Sequence, residues 1–265
     1  MNKTKLKTSL FIVSSFLIPA IMMFFIYLSQ GIYWNSDTSP LLGDGYHQYV
    51  IFDTTLRNIL HGTDSLFYSF QSGLGINFYA LSSYYLGSFF SPLVYFFNAQ
   101  SMPDAVYLIT LLKFGAIGLS TYISLHGMFS KIPRSLVLTL STSFALMSFA
   151  ISQIEIKTWL DVFILAPLIL YGFKKLIYNE GEILYFISLT SLFIQNYYFG
   201  FMMSIFLILW YLTQLSWDIK GIGKRFFHFV IVSLLSVITS LVMLFPTFLD
   251  LRTHGESFSK VDSIF

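Results

Sequence analysis

Apolar segments long enough, or nearly long enough, to cross a bilayer recur along this chain with short polar breaks between them. A helix needs about 17–25 predominantly apolar residues to span the hydrocarbon core. The candidates are residues 9–28, 79–97, 104–126, 135–153, 159–176, 183–195, 201–217 and 226–248. Because a chain in lipid must satisfy its backbone hydrogen bonds internally, this pattern predicts an all-α polytopic membrane protein with a single membrane domain over residues 1–265.

The composition narrows the class further. Charged residues make up 11% of the chain and hydrophobic residues 55%, whereas an average soluble domain is about 25% charged. The formal net charge of +2 does not favour nucleic acid as a partner. The chain contains no Cys, which excludes disulfides, thiolate metal sites and a cysteine nucleophile within these residues.

The first apolar run follows three basic residues, Lys3, Lys5 and Lys7. Such a start resembles the positively charged region of a signal peptide. The run is long enough to span a membrane, however, and no pair of small residues typical of a cleavage site follows it. We therefore predict an uncleaved signal anchor.

The distribution of Lys and Arg predicts which candidates cross, because these residues concentrate in cytoplasmic loops. If 79–97 crosses, eight basic residues lie outside and six inside. If that segment instead lies in or dips into the outer leaflet, ten lie inside and four outside, with Lys113 left within a span. Pro92 also weakens the segment as a helix. We predict seven crossings, with the amino terminus in the cytoplasm and the carboxyl end outside.

This topology places ten of the thirteen acidic residues on the outer side. It also makes residues 30–98 the longest connection, and long ordered loops in compact domains are usually functional. Within this loop, 46–60 has the pattern of an amphipathic helix, with Asp53 and Arg57 predicted as an i, i+4 ion pair on its solvent face. The tyrosines that follow suit a surface-lying, interfacial segment.

The same loop carries Gly-Asp-Gly-Tyr-His-Gln-Tyr at residues 43–49. An acid, Asp44, an imidazole, His47, and a carboxamide, Gln48, beside lipid headgroups are suited to chemistry on a lipid-borne substrate. A simpler interpretation also remains open. Gly-Asp-Gly is common in turns, and His47 and Gln48 could merely solvate the loop.

Several motifs, in one order along the chain, resemble the bacterial YfhO family. They are residues 43–49, Gly73 to Phe78 (Gly-Leu-Gly-Ile-Asn-Phe), Tyr84 to Ser88 (Tyr-Tyr-Leu-Gly-Ser), Trp159-Leu160-Asp161 and Asn196 to Gly200 (Asn-Tyr-Tyr-Phe-Gly). Members of this family are multi-spanning glycosyltransferases of the GT-C fold class and are considerably longer than 265 residues. The resemblance therefore implies a GT-C-like fold and suggests that this chain is an amino-terminal part.

The resemblance also implies an activity and a location. Sugar would move from an undecaprenyl-phosphate carrier to a cell-envelope polymer, such as lipoteichoic or wall teichoic acid, on the outer face of the bacterial cell membrane. In GT-C enzymes an acid of the first outer loop lies at the reaction centre, which corresponds to Asp44 here, and a second acid often follows in the next outer loop, which corresponds to Asp161. The candidate substrate-binding residues are His47, Gln48, Arg57, Asn77, Tyr84, Tyr85, Glu155, Asn196, Tyr197, Arg252 and Lys260.

The chemistry of glycosyl transfer assigns roles to these residues. Transfer needs a base for the acceptor hydroxyl, for which Asp44 is the candidate, and cations for the departing lipid phosphate. Arg252 with Lys260 is favoured for the phosphate because Asp53 is expected to neutralise Arg57. No cofactor is demanded, although Asp44, His47 and Asp161 could bind a divalent metal ion.

Other interpretations stay open for several residues. Asp161 could be a charge at a helix amino terminus, and Asn196-Tyr197-Tyr198 could be only a tight turn with interfacial aromatics. Lys113 could be functional, or it could reach a carbonyl or the interface. For the whole protein, a transporter or lipid-linked-sugar flippase and a non-catalytic membrane subunit are the rival functions.

Overall fold

The computed structural model describes residues 3–72, 75–214 and 221–262, and these residues form an all-α protein. This confirms the predicted fold class. Short 3₁₀ segments at Ser91–Phe96 and Ala99–Ser101 connect some of the helices. The helices are α1 (Lys3–Ser29), α2 (Val50–Leu60), α3 (Phe78–Tyr85), α4 (Met102–Met128), α5 (Arg134–Ala145), α6 (Ser148–Ser152), α7 (Lys157–Ile177), α8 (Ile183–Gln195), α9 (Tyr197–Gln214), α10 (Ile222–Thr239) and α11 (Leu241–Asp262).

Helix α4 is central in the bundle and packs against α1, α5 and α7. Two glycines allow α1 to approach it closely. A Cβ at Gly118 would overlap the Ser15 carbonyl and the Pro19 ring, and a Cβ at Gly115 would press on the Phe16 ring. Small residues in membrane helices commonly permit such contact between backbones.

As predicted from the sequence, the segment 79–97 does not form one spanning helix. Helix α3 has eight residues, Phe78–Tyr85, and the next helical segment is a six-residue 3₁₀ turn, Ser91–Phe96. Both are far shorter than the roughly 20 residues that a spanning helix needs. Between them Gly87 lies against the backbone of Ile194 and Gln195 at the end of α8, where any larger residue would clash.

The amphipathic helix predicted over 46–60 is present in two parts. A single π-helical turn, Gly45–Tyr49, leads directly into α2, Val50–Leu60. Phe52 of α2 is buried with Phe78 and Leu86 in a small apolar cluster. Val50 and Leu56 of α2 pack against a second cluster that includes Met102, Ala105 and Ile109 of α4, so apolar burial also holds the first loop on the bundle.

The segment 226–248, predicted as one span, is divided in the structure. Helix α10 ends at Thr239 and α11 begins at Leu241, with a bend of 70° between them. Pro246 in α11 has no N–H to offer the carbonyl four residues earlier, that of Val242. The Tyr79 hydroxyl donates to this carbonyl at 2.9 Å and so links α3 to α11.

Three helices among the described residues are long and apolar enough to cross a membrane alone. They are Thr8–Ser29, Ala99–Met128 and Arg134–Ser152. The bent pair formed by α10 and the first part of α11 would be a fourth if it is a single span. Helix α7 has 21 residues but carries charges near both ends, and α8 and α9 are shorter apolar helices. Seven crossings therefore remain a prediction.

Basic side chains gather at one end of the bundle, as a cytoplasmic end requires. Arg134 Nη1 donates to Thr8 Oγ1 at 2.8 Å, Lys174 Nζ donates to the Met128 carbonyl at 2.5 Å, and Arg225 bonds the Ile177 carbonyl. The predicted orientation puts this end inside the cell.

Single cysteines test that orientation, because the sequence has none of its own. Ser65 and Ser130 are both exposed and lie in connections predicted to face opposite sides. In intact cells we expect an impermeant thiol reagent to label Ser65→Cys and to reach Ser130→Cys only after permeabilisation. Labelling of Ser130→Cys in intact cells, with Ser65→Cys protected, would reverse the topology.

Candidate active site

The Gly43-Asp44-Gly45 turn opens on the end of the bundle opposite the basic cluster. Asp44 immediately precedes the π-helical turn and its side chain is exposed. Gln48, one turn later, donates from Nε2 to Asp44 Oδ1 at 3.2 Å. This hydrogen bond engages one carboxylate oxygen of Asp44, and a carboxylate can accept further hydrogen bonds at the other.

Glu155 lies directly against this turn. Gly43 has a left-handed φ of +46°, and a Cβ there would overlap the Glu155 carboxylate. The backbone of Glu155 also approaches Gly45. Glycine therefore suits position 43 in its backbone conformation and in the room that it leaves for the carboxylate of a second acid. The fold thus brings together Asp44 of the first loop and Glu155, more than a hundred residues later.

An ion pair lies inside the protein behind the turn. Asp53 of α2 is fully buried, and both its carboxylate oxygens accept hydrogen bonds from the Lys157 ammonium group. Lys157 also lies over the Tyr49 ring, 5.7 Å from its centroid. Beside this ion pair, the hydroxyl groups of Tyr49 and Thr158 form a hydrogen bond of 2.9 Å.

The predicted pair between Asp53 and Arg57 is wrong. Arg57 Nε donates instead to the Phe97 carbonyl at 2.9 Å, and its Nη1 donates to Asn58. The helical spacing allowed the local pair, but α2 packs with Asp53 facing α7 and not water. A buried carboxylate needs a partner inside the protein, and Lys157 supplies it.

A second ion pair lies one helical turn further along α7. Lys113 of α4 contacts Asp161 Oδ2 at 2.6 Å and also donates to the Lys157 carbonyl at 2.8 Å. Ser88 donates to the other oxygen of Asp161 at 2.8 Å. Lys113 is completely buried and Asp161 is 2% exposed. Lys113, left undecided from the sequence, therefore has a defined ionic partner.

A group of tyrosines connects the turn to a cavity between α3, α9 and α11. The Tyr85 ring lies 5.2 Å from that of Tyr49 and 4.9 Å from that of Tyr84, and Tyr84 lies 6.1 Å from Tyr197. Burial raises the pKa of Tyr49 and Tyr85, and the Asp44 carboxylate raises both further. Their hydroxyls therefore stay protonated donors at neutral pH.

Other predicted site residues have structural partners. Asn77 caps α3, because its Oδ1 accepts from the Ala80 amide at 3.2 Å. Asn196 is 1% exposed and its Oδ1 accepts from the Phe199 amide at 3.1 Å. Its Nδ2 has no hydrogen-bond partner among the residues that the structure describes. His47 is exposed and stacks edge-on against Tyr46.

The two cations favoured for the phosphate lie on α11. Arg252 is exposed, two residues beyond Asp250, which lines the tyrosine cavity. Lys260 belongs to the last turns of α11, but its side chain is outside the described part of the chain.

A metal site is not formed by the predicted residues. Among the residues that the structure describes, no three His, Asp or Glu side chains are grouped as ligands would be. Asp161 in particular is held by Lys113 and Ser88, away from the exposed turn.

The sequence missed several residues that complete this region. Asp53 and Ser88 were not predicted to form inward-facing polar contacts, and Asp250 and Thr247 were not connected with the tyrosines. One feature of the sequence did indicate the buried charges. Lys157 and Asp161 are spaced i, i+4 at the start of an apolar helix, which places two opposite charges on a face otherwise suited to burial.

Fold and site together define a polytopic α-helical membrane protein. At one end of its bundle lies the exposed turn with Asp44 and Glu155, and two buried ion pairs lie behind that turn. The chain belongs to the YfhO family, since the family model described as Bacterial membrane protein YfhO matches residues 14–265. This confirms the resemblance seen in the sequence. The chain has no significant match among curated proteins or among solved structures.

Proposed function

We propose that this protein is a membrane glycosyltransferase that moves a sugar from undecaprenyl phosphate to a teichoic-acid-type polymer on the outer face of the bacterial cell membrane. One observation carries most weight. Asp44 is an exposed acid that accepts a hydrogen bond from Gln48, lies beside Glu155, and precedes a turn whose Tyr49 contacts Tyr85 of a tyrosine-lined cavity. A hydrogen-bonded carboxylate near a small-molecule cavity suits general base catalysis at a membrane surface.

The proposed step is a direct displacement. Asp44 takes the proton from an acceptor hydroxyl, and that oxygen forms a bond to the anomeric carbon of the sugar. The bond from this carbon to the phosphate oxygen breaks, and its electron pair leaves with the lipid phosphate. His47 and Glu155 flank the acceptor, and no metal ion or cofactor is required.

Asp161 takes a different role in this proposal from the one the sequence resemblance implied. Both its oxygens are engaged inside the bundle, by Lys113 and Ser88. We assign it to positioning. It holds α4, α7 and the segment after α3 together beneath the reacting groups, and it does not itself contact the sugar.

The departing phosphate needs positive charge near the Asp44 turn. Lys157 is engaged by Asp53, and Arg57 is engaged by the Phe97 carbonyl. Arg252 is the favoured candidate by position, because it is exposed on α11 two residues beyond Asp250 of the cavity, and Lys260 lies further along the same helix.

Asp44→Asn tests the proposal directly. In membranes containing the full-length protein and a radiolabelled polyprenyl-phosphate sugar, we expect transfer to fall by about 10²- to 10⁴-fold, because the amide cannot accept the proton. The matched control is Asp37→Asn, which changes another exposed acid of the same loop and should transfer normally. Normal transfer by Asp44→Asn at equal expression would remove Asp44 from the mechanism.

A lipid-linked-sugar flippase is the second candidate. The 70° break between α10 and α11 and the ion pairs inside the bundle are features that transporters also have. Movement of the lipid-linked sugar across vesicles, without transfer to any acceptor and without dependence on Asp44, would favour this function.

A further inference from the structure

The cavity between α3, α9 and α11 has a definite chemical character. It has a volume of about 360 Å³, within the range of about 300–1,000 Å³ typical of small-molecule sites. Its polar lining comes from Tyr84, Tyr85, Tyr197, Thr247 and Asp250, and its apolar lining comes from Ile76, Ala80, Leu81 and Leu251. Among the described residues, those that line it include one acid and no Lys, Arg or His.

This lining argues against an anion as the occupant. A phosphate placed beside Asp250 would meet like charge, and no lining cation would offset its desolvation. An alkyl chain would offer no hydrogen-bonding group to the tyrosine hydroxyls that line the cavity. A ring with several hydroxyl groups and exposed C–H faces satisfies both kinds of lining.

The tyrosines provide the aromatic surfaces that such a ring needs. Tyr84 lies between Tyr85 and Tyr197, with ring centroids 4.9 Å and 6.1 Å away. Each is only partly buried, so part of each side chain remains accessible from the cavity. Tyrosine combines an apolar face with a hydroxyl at its tip, which matches a sugar ring on its face and at its edge.

The position of the cavity is fixed by contacts between helices. Thr247 of α11 donates to Ser83 of α3 at 2.7 Å, and Tyr79 donates to the Val242 carbonyl. These two bonds hold α11 against α3 and so maintain the space between them. The ring of Tyr85, which lines the cavity, lies 5.2 Å from that of Tyr49 in the π-helical turn that follows Asp44, so the cavity is connected to the turn of the proposed base.

We propose that this cavity binds the neutral sugar ring of the lipid-linked donor, with Tyr84 and Tyr197 packing on the ring and Asp250 accepting hydrogen bonds from its hydroxyls. This inference rests on the proposed function and specifies which part of the substrate each region takes. The sugar lies between α3 and α11, and the phosphate lies outside the cavity toward Arg252.

Alkylation of a cavity cysteine tests the inference without any measurement of transfer. Leu81→Cys and Ile76→Cys place reporters in the lining, and Asp37→Cys is an exposed control outside it. The protein is placed in lipid nanodiscs free of glycoside detergent. The ligands are octyl glycosides of glucose, galactose and N-acetylglucosamine, with octyl phosphate and octanol for comparison.

We expect at least one octyl glycoside to slow alkylation of both reporters, while octyl phosphate and octanol have little effect and Asp37→Cys is unaffected. Tyr84→Leu should weaken this protection by about tenfold, whereas Tyr84→Phe retains the ring and most of the protection. Protection by methyl glycosides as well would show that the sugar alone suffices. A strict need for the octyl chain would identify a lipid-borne source.

Several results would overturn the inference. These are equal protection by octanol, stronger protection by octyl phosphate, protection by no glycoside, or a cavity so closed that neither reporter reacts without ligand. Failure of the proposed function looks different. In that case glycosides protect both the original protein and Asp44→Asn, but no sugar is transferred.

Discussion

Lys113→Met is expected to lower the free energy of unfolding by about 3–5 kcal/mol. The substitution keeps the length of the side chain but leaves the Asp161 carboxylate, 2% exposed, without its cation. When the partner is removed, the remaining buried charge still bears the cost of desolvation but no longer gains the attraction that offset it. Denaturant unfolding of the purified protein in detergent, followed by tryptophan fluorescence, measures the loss.

Two further variants separate the charge from the packing. Lys131→Met changes an exposed lysine in the connection between α4 and α5 and should leave stability unchanged. Lys113→Met combined with Asp161→Leu removes both charges, and we expect it to recover most of the loss, because apolar replacement of a buried pair is often neutral or stabilising. If Lys113→Met unfolds at the original denaturant concentration, the buried pair contributes nothing.

Lys157→Met is expected to release the first-loop helix α2 from the bundle. Asp53 would remain fully buried with no cation, and opening α2 would return its carboxylate to water. We expect the free energy of opening α2 to fall by about 3–5 kcal/mol. At about 1.4 kcal/mol per tenfold, amide hydrogen exchange that depends on this opening becomes at least about 100-fold faster. Hydrogen exchange followed by mass spectrometry should show this in peptides covering Val50–Leu60.

The effect should be local, which distinguishes this pair from the deeper one. Helix α4 should keep its protection in Lys157→Met, and transfer activity should fall because the Asp44 turn is continuous with α2. Asp53→Leu combined with Lys157→Met should restore protection of α2. Unchanged exchange of α2 in Lys157→Met, equal to that in Lys131→Met, would contradict the proposed tether.

Much of the helical framework could be predicted because long apolar runs have few ways to fold in lipid. The predicted segment 183–195 coincides with α8, and 104–126 lies within α4. The interruption of 79–97 was also predictable, since Pro92 and the surrounding small polar residues oppose a spanning helix.

The break between α10 and α11 was not predicted, although the segment 226–248 contains Pro246. Hydropathy averages over a window and does not register a bend between two apolar helices. The bend depends on partners elsewhere in the chain. The Ser240 hydroxyl donates to the Thr190 carbonyl. The Tyr79 hydroxyl donates to the Val242 carbonyl, to which Pro246 has no N–H to donate.

The site was predictable in its position along the chain but not in its contacts. The motif at residues 43–49 was identified from its acid and its place after the first span, and its catalytic role remains a proposal. The contact of Glu155 with Gly43 and the pairing of Asp53 with Lys157 join residues about a hundred positions apart. Neither contact has a local sequence pattern.

Hydropathy and charge along the chain were enough to establish an α-helical membrane protein with its acids concentrated in particular loops. The choice of ionic partners depended on how the helices pack. Arg57 was the nearest cation to Asp53 in the sequence, yet Lys157 is its partner in space. The physical reason is desolvation. A charge acquires an obligatory partner only where packing removes it from water, and packing between distant helices is a property of the folded chain.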